Sequence, residues 1–347
     1  MNDAYKGQEV YFAATNSGQG FVHYFHEIFG LDDRIYILKG GPGTGKSYFL
    51  RQIQKACLEK GIDCECYLCS SDPDSLDGIR IPDLSVSVFD GTAPHAADTK
   101  LPGARENLIN LGAFWREELL RLHREEITLK AEKKADAYRA ALKSLGLAER
   151  CMAYRMQTLS PYIRKEKMEK AAERLLSRVA TEKGMAKPRP VRTYGMKGQR
   201  CLDTLSRLAK SEYFLPPLYG VELIYLKTVL DKAKEKGFDV VYSPHPIDIE
   251  YPEALYFKES GVLFSVFSKI SGKTMGLRRF LDSEIFLEKG KLLRYLMKTE
   301  GILTKEAEKE FAEMRKYHFA LEEIYENTMD FAAKEGYTKQ FLASLFK

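Results

Sequence analysis

Cysteine is scarce in this sequence, six in 347 residues, and that argues against a disulfide-stapled fold. Long apolar runs are missing as well. The longest, such as residues 261–267, stop far short of the roughly 18 residues that a membrane-spanning helix needs. The first ten residues lack the apolar centre of a secretion signal. These absences lead us to expect a cytoplasmic chain with no membrane segment. Composition is otherwise globular, 44% hydrophobic and 30% charged, and the length suits about two domains. The net charge is a modest +5, yet residues 121–192 hold 19 Lys/Arg against 9 Asp/Glu. That stretch interleaves its charges at helical period, so a solvated helix face is the first expectation and a nucleic-acid surface the second.

What is present is concentrated in one short motif. Gly40-Gly41-Pro42-Gly43-Thr44-Gly45-Lys46-Ser47 follow the apolar run Ile35-Tyr36-Ile37-Leu38 and open a segment of helical period. This is the phosphate-loop pattern G-x-x-x-x-G-K-[ST] in a strand–loop–helix setting. The glycines let consecutive N–H groups turn inward as an anion nest. The helix that starts here adds its positive end and unpaired amides. We expect residues Gly40 to Ser47, with Tyr48 behind them, to bind a nucleoside triphosphate. Lys46 would reach the β- and γ-phosphates, and Ser47 would place its hydroxyl on Mg²⁺. No Asn-Lys-x-Asp guanine reader occurs, which favours ATP over GTP.

The chain also repeats itself. Setting Gly61 on Gly237 lays residues 35–63 on 211–239 without a gap. After a two-residue insertion, residues 86–89 meet 264–267. In the second copy the loop becomes Pro216 to Leu223, with Glu222 opposite Lys46 and Leu223 opposite Ser47. A carboxylate there repels phosphate, and the prolines remove donors. The second copy is therefore expected to be free of nucleotide. The expected fold class is α/β: a P-loop NTPase-type parallel sheet flanked by helices, duplicated, each half followed by a mostly helical stretch near 104–180 and 276–346. The halves are expected at 1–185 and 191–347, packed on each other and parted by the Pro/Gly segment 184–190. Residues 105–111 and 114–120 read as helical.

Hydrolysis needs a metal-holding carboxylate and a group that orients the nucleophile. Asp90 ends the apolar run 84–89, where a strand terminus would meet Mg²⁺, and Ser268 is its counterpart in the second copy. Ser47 and Asp90 are the expected metal ligands. Asp72, in the acidic stretch 70–77, is expected to act behind the metal or to position the nucleophile, and His95 to orient water or touch the γ-phosphate. The expected catalytic set is thus Lys46, Asp90, Asp72 and His95, with Mg²⁺ and ATP. No Asp-Glu pair follows the metal strand, so the glutamate base of many ATPases is missing. Cys64, Cys66 and Cys69 have no matching Cys/His pair nearby and read as buried small hydrophobes rather than zinc ligands. His23 and His26 read as packing residues on a helical stretch with Phe21, Phe25 and Phe29. Arg278 and Arg279 suggest an arginine finger offered by the second copy to the first.

Residues 33–47, Cys69-Ser70-Ser71-Asp72-Pro73-Asp74-Ser75-Leu76-Asp77-Gly78, Phe89-Asp90-Gly91-Thr92-Ala93-Pro94-His95, 107–112 and 321–331 together resemble a family of uncharacterised bacterial ATPases with two tandem phosphate-loop halves. In that family both halves usually keep the loop, whereas this chain departs at Pro216 to Leu223. The resemblance implies nucleotide binding and ATP hydrolysis. A small-molecule kinase, or a nucleotide-gated binding module that never turns over, would use the same loop.

Overall fold

The computed structural model describes residues 5, 8–92, 97–180, 182–267 and 273–346. The chain lays down one series of elements twice. The first series is β1 (Glu9–Phe12), β2 (Ala14–Ser17), β3 (Gly20–His23), α1 (Phe25–Phe29), β4 (Arg34–Lys39), α2 (Lys46–Lys60), β5 (Glu65–Leu68), β6 (Leu76–Ile81), β7 (Val86–Asp90), β8 (Glu106–Asn110), α3 (Glu117–Leu122), α4 (Arg124–Leu159) and α5 (Lys165–Val179). The second is β9 (Ala186–Pro188), β10 (Arg192–Gly195), β11 (Gly198–Cys201), α6 (Thr204–Leu208), β12 (Ser211–Phe214), α7 (Val221–Glu235), β13 (Val240–Pro244), β14 (Pro252–Phe257), β15 (Val262–Ser265), β16 (Lys273–Thr274), α8 (Glu284–Glu288), α9 (Gly290–Glu326) and α10 (Phe331–Leu345).

Two six-stranded sheets result, in the orders β1-β5-β6-β7-β4-β8 and β9-β13-β14-β15-β12-β16. Position by position they match, and so do their directions. β4 lies between β7 and β8, parallel to both, as β12 does between β15 and β16. β6 and β14 run antiparallel to both neighbours. The sheets are therefore mixed, not parallel as the strand–helix alternation suggested. The links 69–75 and 82–85 are too short for a crossover, which takes about a dozen residues or more. A second correction concerns β8. Residues 105–111 were expected to be helical, but Ile109 is buried while Leu108 faces solvent, the period of a strand. His23 likewise ends strand β3, and only His26 of that pair is on a helix.

The structure revises the alignment of the copies around the loop. Gly45 and Gly220 both occupy the helix N-cap with positive φ, 72° and 109°. That sets Lys46 against Val221 and Ser47 against Glu222, one position away from the ungapped match. Ser85 and Gly261 both turn with positive φ just before β7 and β15. No insertion is needed there, and Asp90 stands against Val266 rather than Ser268, which lies outside the described residues.

The halves exchange their last helices. α10 seats Phe341 between Tyr36 and Phe49 of the first sheet layer, at ring distances of 5.0 and 5.1 Å. α5 in turn buries Met168 and Leu176 in the core around α7. Matching backbone bonds fix both crossings. Asp330 N–H donates to Phe114 C=O as Arg164 N–H does to Phe280 C=O, each at 2.8 Å. These bonds pair Arg164 with Asp330 and Phe114 with Phe280 as equivalents, and one constant shift relates both pairs. Between the halves α4 and α9 run antiparallel, with Arg155 bonded to Glu300 at 2.9 Å and the Tyr138 ring 6.1 Å from that of Phe311. Each long helix ends against the opposite half's loop.

Candidate functional site

Strand β4, interior and next to the edge strand β8, is anchored by Ile35, Ile37 and Leu38, all buried, and it delivers the chain directly into residues 40–45. Positive φ at Gly40, Gly43 and Gly45 (151°, 68°, 72°) coils the loop into a turn that residues with a Cβ disfavour. Thr44 is fully buried and donates its hydroxyl to Gly41 C=O at 2.9 Å. Thr92 Oγ1 donates to Gly40 C=O at 2.9 Å, pinning the loop to the end of β7. Lys46, the first residue of α2, folds back to donate to the carbonyls of Gly40 and Gly41, both at 2.8 Å. Its ammonium lies 3.6 Å from Asp90 Oδ2.

The expected residues converge in part. Lys46 and Asp90 pair directly, and Thr92 N–H donates to Asp90 Oδ1 at 2.8 Å. Ser47 Oγ accepts from Leu76 N–H at 2.9 Å, which places the hydroxyl beside β6. Tyr48 is exposed on the first turn of α2. Asp72 is buried but turned to its own loop, where Oδ2 accepts from Ser75 Oγ at 2.8 Å. His95 lies outside the described residues. Arg278 and Arg279 sit in the second half, against the rings of Phe286 and Phe280 at 5.7 and 4.7 Å. Tyr219 of the second loop faces that same Phe286, so the arginine pair belongs to the second half's own cleft.

A hydroxyl on the first helical turn and one carboxylate on the neighbouring strand are oxygen donors of the kind Mg²⁺ takes, and Lys46 stands beside the carboxylate. Magnesium keeps most of its shell for water and phosphate oxygens and takes only one or two carboxylates. Among the described residues, no group of three or more His, Cys, Asp or Glu forms a protein cage.

Several residues near the loop carry chemistry that sequence reading passed over. Asp77, on β6, is buried, and its carboxyl is pushed up to about 8 by that burial and then by the neighbouring Asp90 charge. The other groups come from α4, α9 and α10 and from the link before α3. Trp115 lays its ring on Gly41, and its indole nitrogen is buried with no hydrogen-bond partner. His318 Nδ1 is buried and unpartnered too, and burial, then the Lys134 charge, lowers the imidazole to about 4. Burial holds the Lys134 ammonium below its ordinary range and raises Glu322. At the crest, a Cβ on Gly43 would sit 2.6 Å from Glu322 C=O. A Cβ on Gly45 would collide with the Lys334 ammonium. Orphaned buried nitrogens are rare in folded proteins and call for a specific explanation.

The second loop is closed from within. Glu222 Oε2 accepts from Leu218 N–H at 2.8 Å and Gly220 N–H at 3.1 Å, so its own carboxylate takes the inward amides. Arg155 donates to Tyr219 C=O. Around this loop the shift that pairs Arg164 with Asp330 sets Leu281 against Trp115, Met152 against His318, Met156 against Glu322 and Met168 against Lys334. Carrying the repeat through the helices was the signal that would have exposed these four residues. Comparison with protein-family models, with curated proteins and with solved structures gave no match.

Proposed function

We propose that the chain binds MgATP at the loop 40–47, once per chain, and hydrolyses it. The observation that carries this reading is the asymmetry between two otherwise matching halves. One loop keeps its amides, its lysine and its neighbouring carboxylate, and is ringed by Trp115, His318, Glu322 and Lys334. The other fills its amides with Glu222, takes Arg155 on its Tyr219 carbonyl, and has Leu281, Met152, Met156 and Met168 at the four matching positions. Drift alone has no reason to keep a lysine and open amides in one loop and to plug the other with its own carboxylate.

In this reading Lys46 leaves the two loop carbonyls and moves onto the phosphates, while the amides of the nest hold the β-phosphate charge. Ser47 and Asp90 would hold the Mg²⁺ that arrives with the nucleotide, and the ion would neutralise phosphate charge. Asp77 keeps its proton at neutral pH, so it adds no repulsion. A water-orienting role falls to Asp72 or to neutral His318, whose imidazole feels the charges of both Asp72 and Lys46. The likeness to the tandem phosphate-loop ATPases supports the same conclusion. Nothing about the nucleotide pocket requires a membrane, and among the described residues no helix is long and apolar enough to cross one.

The test uses the chain's single tryptophan, which rests on the loop. Titrating MgATP should shift Trp115 fluorescence with one site per chain by calorimetry, and Lys46→Ala should abolish both signals. Labelled γ-phosphate should appear as free phosphate. No heat with MgATP, or two sites per chain, refutes the reading; label recovered on a metabolite reassigns the turnover to a kinase.

A further inference from the structure

We propose that Lys334, carried by the exchanged helix α10, is a phosphate ligand supplied to the first half's loop by the second half of the chain. This rests on the nucleotide reading of that loop and names a contact the loop itself does not contain.

Three observations lead there. The first is position. The Lys334 ammonium lies against the Cα of Gly45, at the N-terminal end of α2 where the nest opens. It sits 4.9 Å from the centre of the Tyr48 ring and 5.2 Å from that of Phe331. The second is its lack of any ion-pair partner among the described residues. The side chain is buried, with the residue 3% exposed, and no carboxylate among those residues reaches salt-bridge distance of its nitrogen. A buried ammonium that touches only ring faces, with the charges of Glu335 and Glu326 beyond ion-pair distance, is costly unless a closer anion compensates it, and burial does hold its pKa below the ordinary lysine range. The third is internal comparison. The backbone bonds that seat α10 and α5 set Lys334 opposite Met168, which is buried and packs on α7 beside Thr228. The matching helix position carries a cation where the loop is open and a thioether where Glu222 has closed it; the groups against Gly220 itself are Met156 and the Arg155 guanidinium, both from α4.

A structural role predicts the reverse. Methionine serves at the matching helix position in the other half, so packing of the helix alone does not call for lysine. The part first considered for Arg278 and Arg279, a cation offered by the second half to the first, passes to this lysine. Because α10 comes from the far end of the chain, the bound phosphates would hold the two halves together through this one contact.

The experiment compares full-length wild type, Lys334→Met, Lys334→Arg and Lys46→Ala by calorimetry with MgATP, with adenosine as the phosphate-free probe, and with melting curves in the absence of nucleotide. We expect Lys334→Met to weaken MgATP at least tenfold, about 1.4 kcal/mol, while melting at or above the wild-type temperature. Lys334→Arg should recover part of the affinity, and any adenosine binding should be unchanged. MgATP affinity equal to wild type in Lys334→Met overturns the proposal while leaving the loop's assignment intact, provided Lys46→Ala loses binding. A lower melting temperature with unchanged affinity shows a structural lysine and also overturns it. Absence of binding in wild type removes both readings together.

Discussion

Asp77→Asn should change how the chain's stability responds to pH, and the size of the change follows from the site. Burial, then the charge of Asp90, lifts the Asp77 carboxyl from an ordinary value of 3.8 to about 8. Between those values the folded chain keeps a proton here that the unfolded chain releases. The folded state then binds more protons, so the free energy of unfolding falls as pH rises through this window. The limiting slope for one group is about 1.4 kcal/mol per pH unit. From pH 5 to pH 7 the wild type should lose roughly 3 kcal/mol through Asp77, an upper bound given its coupling to Asp90. Asparagine has nearly the same shape and no proton to lose. Urea unfolding at pH 5, 6 and 7, read by Trp115 fluorescence and by far-ultraviolet circular dichroism, gives the difference between variant and wild type at each pH. Titrating groups that do not interact with Asp77 cancel in that difference, and Asp90 leaves only its coupling to Asp77. It should move toward the variant by up to the stated amount between pH 5 and pH 7. A difference that stays flat to within about 0.5 kcal/mol, the scatter of an inconsequential substitution, would show that Asp77 is ionised in the folded chain, and the argument from burial would fail.

Two further comparisons probe the frame of the molecule. Gly43→Ala combines a positive φ of 68° with a Cβ only 2.6 Å from Glu322 C=O, whereas Gly61→Ala has the same φ of 68° and open space around it. In urea unfolding Gly61→Ala should cost about 1–2 kcal/mol for conformation alone, and Gly43→Ala clearly more; equal costs would mean that the α9 end does not bear on the loop. Arg192→Leu removes the ion-pair partner of Glu253, which is fully buried. It should destabilise by about 3–5 kcal/mol, and adding Glu253→Gln should recover much of that in the same assay. A single variant as stable as wild type would refute the buried-charge argument.

The strand–loop–helix core of this molecule was legible because it is local. Lys46 follows Gly45 by covalent geometry, and Asp90 ends an apolar run on the adjacent strand, so both could be placed without knowing the rest of the fold. The duplication was visible for the same reason in its α/β portions. The sheet directions were misjudged although the lengths of residues 69–75 and 82–85 carried the answer, since neither can span a crossover. The helical residues around the site were hidden by a change of register between the copies. The shift that carries Gly61 to Gly237 is larger than the one that carries Arg164 to Asp330, so a fixed shift loses the match between them. Periodicity also says nothing about which half a helix joins. That Lys334 reaches Gly45 depends on the exchange of α5 and α10, which only tertiary packing specifies. Sequence reading chose Asp72 over Asp77, although both are acidic residues near a turn and only their surroundings in the fold separate their chemistry.

The exchange of the terminal helices has a consequence for how the polypeptide matures. During synthesis α5 leaves the ribosome before its seat on α7 exists, and the first sheet waits with an apolar surface around Tyr36 and Phe49 uncovered until residues 331–345 arrive. Contacts of such long sequence separation form late and slowly. The cradle at Gly40–Ser47 is thus finished among the last parts of the chain, and a nascent or clipped polypeptide that has not received α10 would present the loop without its lysine partner from the far half.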